Sequence, residues 1–251
     1  MPNYSEHPTL TQSRVMVIGD SGSGKTHQIG LMANAGYNVH VADFDNGLHN
    51  LRPLLTKEGA SRLQYETFTD TLKDISAYNR FLKVLQNWPG KGALETWGPS
   101  DLLAIDTGTF MADAILRREL ANSGKKMTDR PTQNDWGNAV REFELLLTLL
   151  SSPEIKASIL MNMHIRRMED EATGMTREFP SVIGKVLPSK VGRYFNAVIL
   201  VETARVAGAD KRIFRTTSTS RLALKHPMPG VVQDTMDADL PTFFKLLAPG
   251  K

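Results

Sequence analysis

One short run of the sequence has the residue types and spacing to do chemistry: Gly19-Asp20-Ser21-Gly22-Ser23-Gly24-Lys25-Thr26. Its three glycines let the backbone curl until successive N–H groups face one point, which suits phosphate oxygens. Lys25 would then reach the β- and γ-phosphates, and the Thr26 hydroxyl would ligate Mg2+. The run fits G-x-x-x-x-G-K-[ST], and its flanks fit the mechanism. Arg14–Ile18 reads as a buried strand before it. Lys25–Ala35 reads as a helix after it, whose N-terminus adds partial positive charge. The expected cofactors are ATP and Mg2+.

Such a site needs an acid at the end of a neighbouring strand to hold the metal shell. Asp106 closes the strand Leu102–Asp106, and Asp43 lies at the end of a second strand, Asn38–Phe44. The uninterrupted apolar run before Asp106 favours it, with Thr26, as the metal residue. The choice sets the class. Asp43, on the strand next in sequence, would imply a kinase- or GTPase-like branch; Asp106, after an inserted strand, implies the RecA-like and AAA-like branch. Four carboxylates are open as the group that orients the attacking water: Asp43, Asp45, Glu66 and Asp70. Asp45 is carried forward as the catalytic candidate beside Lys25 and Asp106. His164 closes the strand Ala157–His164; its ring can bond the γ-phosphate or the water and report hydrolysis to the following loop. Asn162 is the second choice for that role.

Two polar segments follow. The first holds Lys125, Lys126 and Arg130, with Trp136 just beyond. The second holds Arg166, Arg167, Arg177, Lys185, Lys190 and Arg193 around Phe179, together with four acids. Basic residues with an occasional aromatic suit a path for single-stranded nucleic acid.

The elements that must position these residues alternate in type. Strands are expected at 14–18, 38–44, 62–68, 102–106 and 157–164, with helices at 25–35, 71–88 (N-capped by Asp70), 109–121 and 136–150. Residues 165–188 read as a long polar stretch, and 185–194 as a short helix. Late strands are expected at 196–206, 212–219 and 222–225, the first two joined by a turn at Gly208–Asp210. The alternation predicts an α/β, three-layer sandwich with a mainly parallel sheet and antiparallel strands added at one edge. One domain, 14–251, follows an N-terminal arm, 1–13. Thirty Lys and Arg against 27 Asp and Glu give a net charge of +3, too small to name a partner. Cysteine is absent, which excludes disulfides, thiolate metal sites and a cysteine nucleophile. No run of about eighteen apolar residues occurs and the N-terminus has no apolar signal core, so the expected location is cytoplasmic.

Taken together, GDSGSGKT at 19–26, ADFDNG at 42–47, LLAIDT at 102–107 and LMNMH at 160–164 resemble the RecA-like ATPases. More narrowly, they resemble the short, core-only RecA-like proteins of bacteriophages that serve single-strand annealing and recombination. The resemblance covers roughly 15–241. It implies DNA-binding loops at about 122–135 and 166–190, with His164 in the place of a polar nucleotide sensor. It implies a homo-oligomeric ring or filament with ATP between subunits, in the host bacterial cytoplasm if phage-encoded. A neighbour would supply a cation to the γ-phosphate, for which Arg215, Arg221 and Lys225 are candidates by position. Single-stranded DNA, and a single-strand-binding protein, are the implied partners. A P-loop kinase with Asp43 as metal residue, and an annealing scaffold that binds ATP but barely hydrolyses it, are the alternatives.

Overall fold

The structure is a computed structural model that describes residues 12–169, 174–206 and 208–247. Its strands are β1 (Arg14–Ile18), β2 (Asn38–Asp43), β3 (Leu63–Thr67), β4 (Asp101–Asp106), β5 (Ser158–Met163), β6 (Ile165–Glu169), β7 (Thr176–Pro180), β8 (Ala197–Val206), β9 (Ala209–Arg215) and β10 (Thr235–Asp237). Its α-helices are α1 (Lys25–Asn34), α2 (Lys57–Ser61), α3 (Ala77–Gln86), α4 (Gly108–Asn122), α5 (Gln133–Leu150), α6 (Leu187–Lys190) and α7 (Leu240–Leu247). Eight strands form one sheet in the order β10-β9-β8-β1-β5-β4-β2-β3. The pairs from β8 through β3 are parallel, and β9 and β10 are added antiparallel at one edge.

Period-two alternation along buried strands supplies a helix layer on each face. Val15, Val17, Val39, Val41 and Leu102 pack with Ile29 and Met32 of α1 and Phe243 of α7. Met16, Ile18, Leu103, Ile105 and Met161 pack with Phe81 of α3, Ile115 of α4 and Phe143 of α5. The expected α/β sandwich with a mainly parallel sheet and an antiparallel edge is therefore present. Among the described residues, no helix is long and apolar enough to cross a membrane.

Several local expectations are corrected. The helix expected from Thr71 starts at Ala77, because residues 71–74 close a tight turn in which Thr71 and Asp74 exchange backbone hydrogen bonds. Asp70 does not cap residue 71; its Oδ1 accepts from the Ala77 N–H at 2.9 Å, and Arg117 holds its other oxygen at 2.8 Å. α5 begins three residues earlier than expected, in a capping box between Thr132 and Asp135. The polar stretch after His164 contains an antiparallel hairpin, β6–β7. The strand expected at 222–225 forms only isolated bridges, Leu222 to Glu178 and Lys225 to Val198. Of the expected arm, residues 1–11 lie outside the described residues. Gln12 and Ser13 are buried, the Ser13 carbonyl accepting from Ile159 of β5.

At the opposite end of the sheet from the phosphate loop, His40 of β2 is buried between Trp88 and Trp97, with ring centroids 5.4 and 4.2 Å away. Neither ring nitrogen has a hydrogen-bond partner. Burial pushes its pKa down to about 4, against the pull of nearby Asp101.

Candidate functional site

Gly19–Thr26 lies between the end of β1 and the start of α1. Gly24 is the helix N-cap at φ 102°, a left-handed conformation that glycine adopts without strain. No side chain caps this helix, so its first N–H groups open into a cavity of about 470 Å³. Gly19 permits a close approach: a Cβ there would meet Val201 O at 2.7 Å. Lys25 Nζ donates to the carbonyls of Gly19 (2.9 Å) and Asp20 (2.8 Å). Burial lowers its pKa, opposed by the charges of Asp106, Asp45 and Asp20.

β5 separates β4 from β1, so Asp106 stands on the strand beyond the inserted one. That order belongs to the RecA-like and AAA-like branch. Thr26 Oγ1 donates to Asp106 Oδ2 at 2.7 Å, and Asn162 Nδ2 donates to Asp106 Oδ1 at 2.9 Å. Thr26 and Asp106, 80 residues apart in sequence, thus meet where the metal would sit. Asp106 is fully buried, and burial pushes its pKa up to about 6 despite these two bonds.

The four candidate water-orienting acids separate in space. Asp43 Oδ1 accepts from the Asn46 N–H at 2.8 Å, which shapes the turn after β2. Asp70 is committed to Ala77 and Arg117. Glu66 stands half-buried on the edge strand β3, outside the cavity lining. Asp45 alone of the four lines the cavity. Its Oδ1 is buried and lacks a partner, and its pKa is raised by burial and then by Asp43. Gly47 lies so close that a Cβ would meet Asp45 Oδ1 at 2.6 Å.

His164 also lines the cavity, with Nδ1 3.4 Å from Lys25 Nζ. Burial and then the charge of Lys25 lower its pKa, so the ring is neutral near pH 7. Against an ammonium, Nδ1 is the acceptor and Nε2 carries the proton. Asn162 points instead to Asp106.

Three buried oxygens around this site, Ser23 Oγ, Asp45 Oδ1 and Asn162 Oδ1, have no hydrogen-bond partner. Such atoms are costly unless a ligand or water meets them. Together with the open helix N-terminus and the Thr26–Asp106 pair, they fit a nucleoside triphosphate with Mg2+. Among the described residues, no three His, Asp or Glu side chains form a ready metal cage. Thr26 Oγ1, with Asp106 beside it, would hold Mg2+ together with phosphate oxygens and water.

The basic candidates differ in their commitments. Lys125 is bound by Asp135, inside the α5 cap. Arg167 is bound by Asp20 at 3.2 Å and Glu178 at 3.1 Å, which ties β6 to the phosphate loop. Arg177 stacks over Phe179. Arg166 donates to Gly184 O at 3.1 Å from an exposed position, and Lys126 and Arg130 are exposed. Of the cations proposed to act across subunits, Arg215 is held by Glu202 at 2.7 Å, while Arg221 and Lys225 stand exposed, away from this cavity.

One residue was missed. Arg212 of β9 lines the cavity, and a Cβ on Gly24 would meet its Cδ at 2.8 Å. The stem therefore lies across the phosphate loop, and its charge helps to lower the pKa of His27. Arg212 has no ion pair among the described residues. The sequence carries no signal for it, because β9 reaches the loop only through the sheet order.

No curated protein matches the sequence. Among solved structures, the chain is similar to a KaiC-like protein of the hyperthermophilic archaeon Pyrococcus horikoshii, with 13% identity over 85% of this chain and 81% of that one, at a TM-score of 0.42. The flagellar accessory protein FlaH of Methanocaldococcus jannaschii gives 11% identity, 89% and 83% coverage, and a TM-score of 0.47. The ATPase EscN of the enteropathogenic E. coli type III secretion system gives 16% identity, 76% and 42% coverage, and a TM-score of 0.48. These are likenesses of chain path, and family membership rests on sequence. The family model AAA_24, an AAA domain, matches residues 11–227, and the chain belongs to that family.

Proposed function

We propose that the protein is a Mg-ATP-dependent ATPase of the RecA-like type that binds single-stranded DNA and serves phage-type recombination or single-strand annealing. The Thr26–Asp106–Asn162 line beneath the phosphate loop carries the ATPase part of this reading. The DNA part is supported by the β6–β7 hairpin, which begins one residue after His164, and by the exposed Arg166, Lys126 and Arg130.

Mg2+, when bound, neutralises charge on the β- and γ-phosphate oxygens. The N–H groups of residues 22–26 hold the phosphates, and Lys25 stabilises charge that develops during in-line attack. Asp45 accepts a hydrogen bond from the attacking water and orients it. His164, neutral and next to Lys25, senses the γ-phosphate and passes its state to the hairpin. In a ring or filament, Arg221 or Lys225 of one protomer would approach its neighbour's nucleotide; Arg215 would first have to leave Glu202.

The test measures phosphate release with and without a single-stranded oligonucleotide. DNA-stimulated release that Lys25→Ala abolishes supports the reading. Transfer of phosphate to a nucleotide would make the protein a kinase, and annealing untouched by Lys25→Ala would make it a scaffold. Replacing Lys126, Arg130 and Arg166 together by alanine should weaken DNA binding and flatten its salt dependence. Unchanged binding would remove these segments from the DNA path.

A further inference from the structure

Behind His164 lies a second cavity, of about 810 Å³, between the starts of α4 and α5 and the segment 181–185. Its walls meet at the His164 peptide. The His164 N–H donates to Thr109 Oγ1 at 3.0 Å, and Thr109 lines one wall. The His164 carbonyl accepts from the Ser181 N–H at 2.8 Å, and Ser181 lines another. The His164 ring faces Lys25 in the nucleotide cavity, with Phe110 packed edge-on at 5.8 Å. The two cavities therefore stand back to back across one residue.

The lining gives the second cavity its chemistry. Trp136 contributes an indole that is 39% exposed, whereas Trp88 and Trp97 are each 1% exposed in the core. Ile183 supplies an apolar surface, Asp113 a hydrogen-bond acceptor, and Arg166 and Lys185 two cations. A half-exposed indole stacks any nucleobase. The cations suit the phosphates on either side of it. Asp113 repels a phosphate but accepts from the exocyclic amino group of cytosine, adenine or guanine.

We infer that this cavity receives one unstacked base of single-stranded DNA, stacked on Trp136, with the flanking phosphates met by Arg166 and Lys185. The inference rests on the single-strand reading above and adds where a base enters and what it touches. Because Thr109 and Ser181 hold the His164 peptide from both sides, a base in the cavity bears directly on the residue that faces the γ-phosphate.

The test uses the full chain and three probes of equal length: oligodeoxycytidylate, oligothymidylate, and a strand of abasic sites. Oligodeoxycytidylate should quench the emission of the wild-type protein, since Trp136 is the one accessible indole. Trp136→Leu should bind it about tenfold more weakly, and Trp136→Phe should recover most of the loss. The abasic strand should bind the wild type no better than oligodeoxycytidylate binds Trp136→Leu, and oligothymidylate should fall between. Binding of a fluorescent ADP by Trp136→Leu, unchanged from wild type, checks the fold. Full affinity in Trp136→Leu, or equal wild-type affinity for based and abasic strands, overturns the base site while leaving DNA binding standing. Absence of binding to all three strands overturns both.

Discussion

Asp45→Asn should separate stability from turnover. Asp45, Asp43 and Asp106 crowd one end of the parallel sheet, and the pKa of each is raised, first by burial. An acid whose pKa is higher in the folded chain than in the unfolded one costs stability at neutral pH, where it must be charged. That cost disappears once the pH falls below the unfolded value of 3.8. Asparagine keeps the shape and removes the charge. A like-charge contact in a partly shielded site costs about 1–3 kcal/mol, and the Lys25 ammonium offsets part of it. The expected gain is about 1 kcal/mol, or about 2–4 °C in Tm for a chain of this size. Scanning calorimetry in EDTA at pH 7.5 reads it, and the gain should vanish near pH 3.5. If Asp45 orients the attacking water, the same variant should lose about a hundredfold in turnover, with ADP binding retained. A lower Tm in EDTA would mean that the carboxylate is a structural partner. Intact turnover would remove Asp45 from the mechanism.

Two further outcomes are expected. His40 stays neutral in the fold down to about pH 4, whereas the unfolded chain protonates it at 6.5. Stability should therefore fall by about 2 kcal/mol as the pH drops through that window. Urea melts at pH 4.5 and 7.0 would show this, and His40→Leu should flatten the difference; an unchanged difference would refute the assignment. Arg212→Ala should weaken ADP binding about tenfold, because a guanidinium across the phosphate loop favours bound and transition states alike. Its kcat should hold within about threefold, and undiminished ADP affinity would exclude Arg212 from the site.

Much of the site was legible because local sequence fixes it. The glycine spacing before Lys25 dictates a loop of N–H donors, and apolar runs ending in Asp43 and Asp106 place both acids at strand ends. Which acid lies beyond an inserted strand depended on β5 entering between β1 and β4, a long-range event. The β6–β7 hairpin was missed because IRRME and TREFP carry charge on both faces, which hides a period of two. Lys125 reads as part of a basic nucleic-acid path because nothing local marks Asp135, ten residues on, as its partner. Arg212 was invisible for the same reason at larger scale, since β9 meets the phosphate loop only once the sheet is assembled.

The tie from Arg167 to Asp20 and Glu178 has a consequence for how the hairpin rests. Both arginine contacts are more than half exposed on the Arg167 side, where water and salt compete for the guanidinium. The Asp20 contact, at 3.2 Å between two exposed groups, therefore holds the hairpin to the phosphate loop only lightly. Such a contact is a weak latch. A ligand that takes over either charged contact would release the tie, and added salt would loosen it.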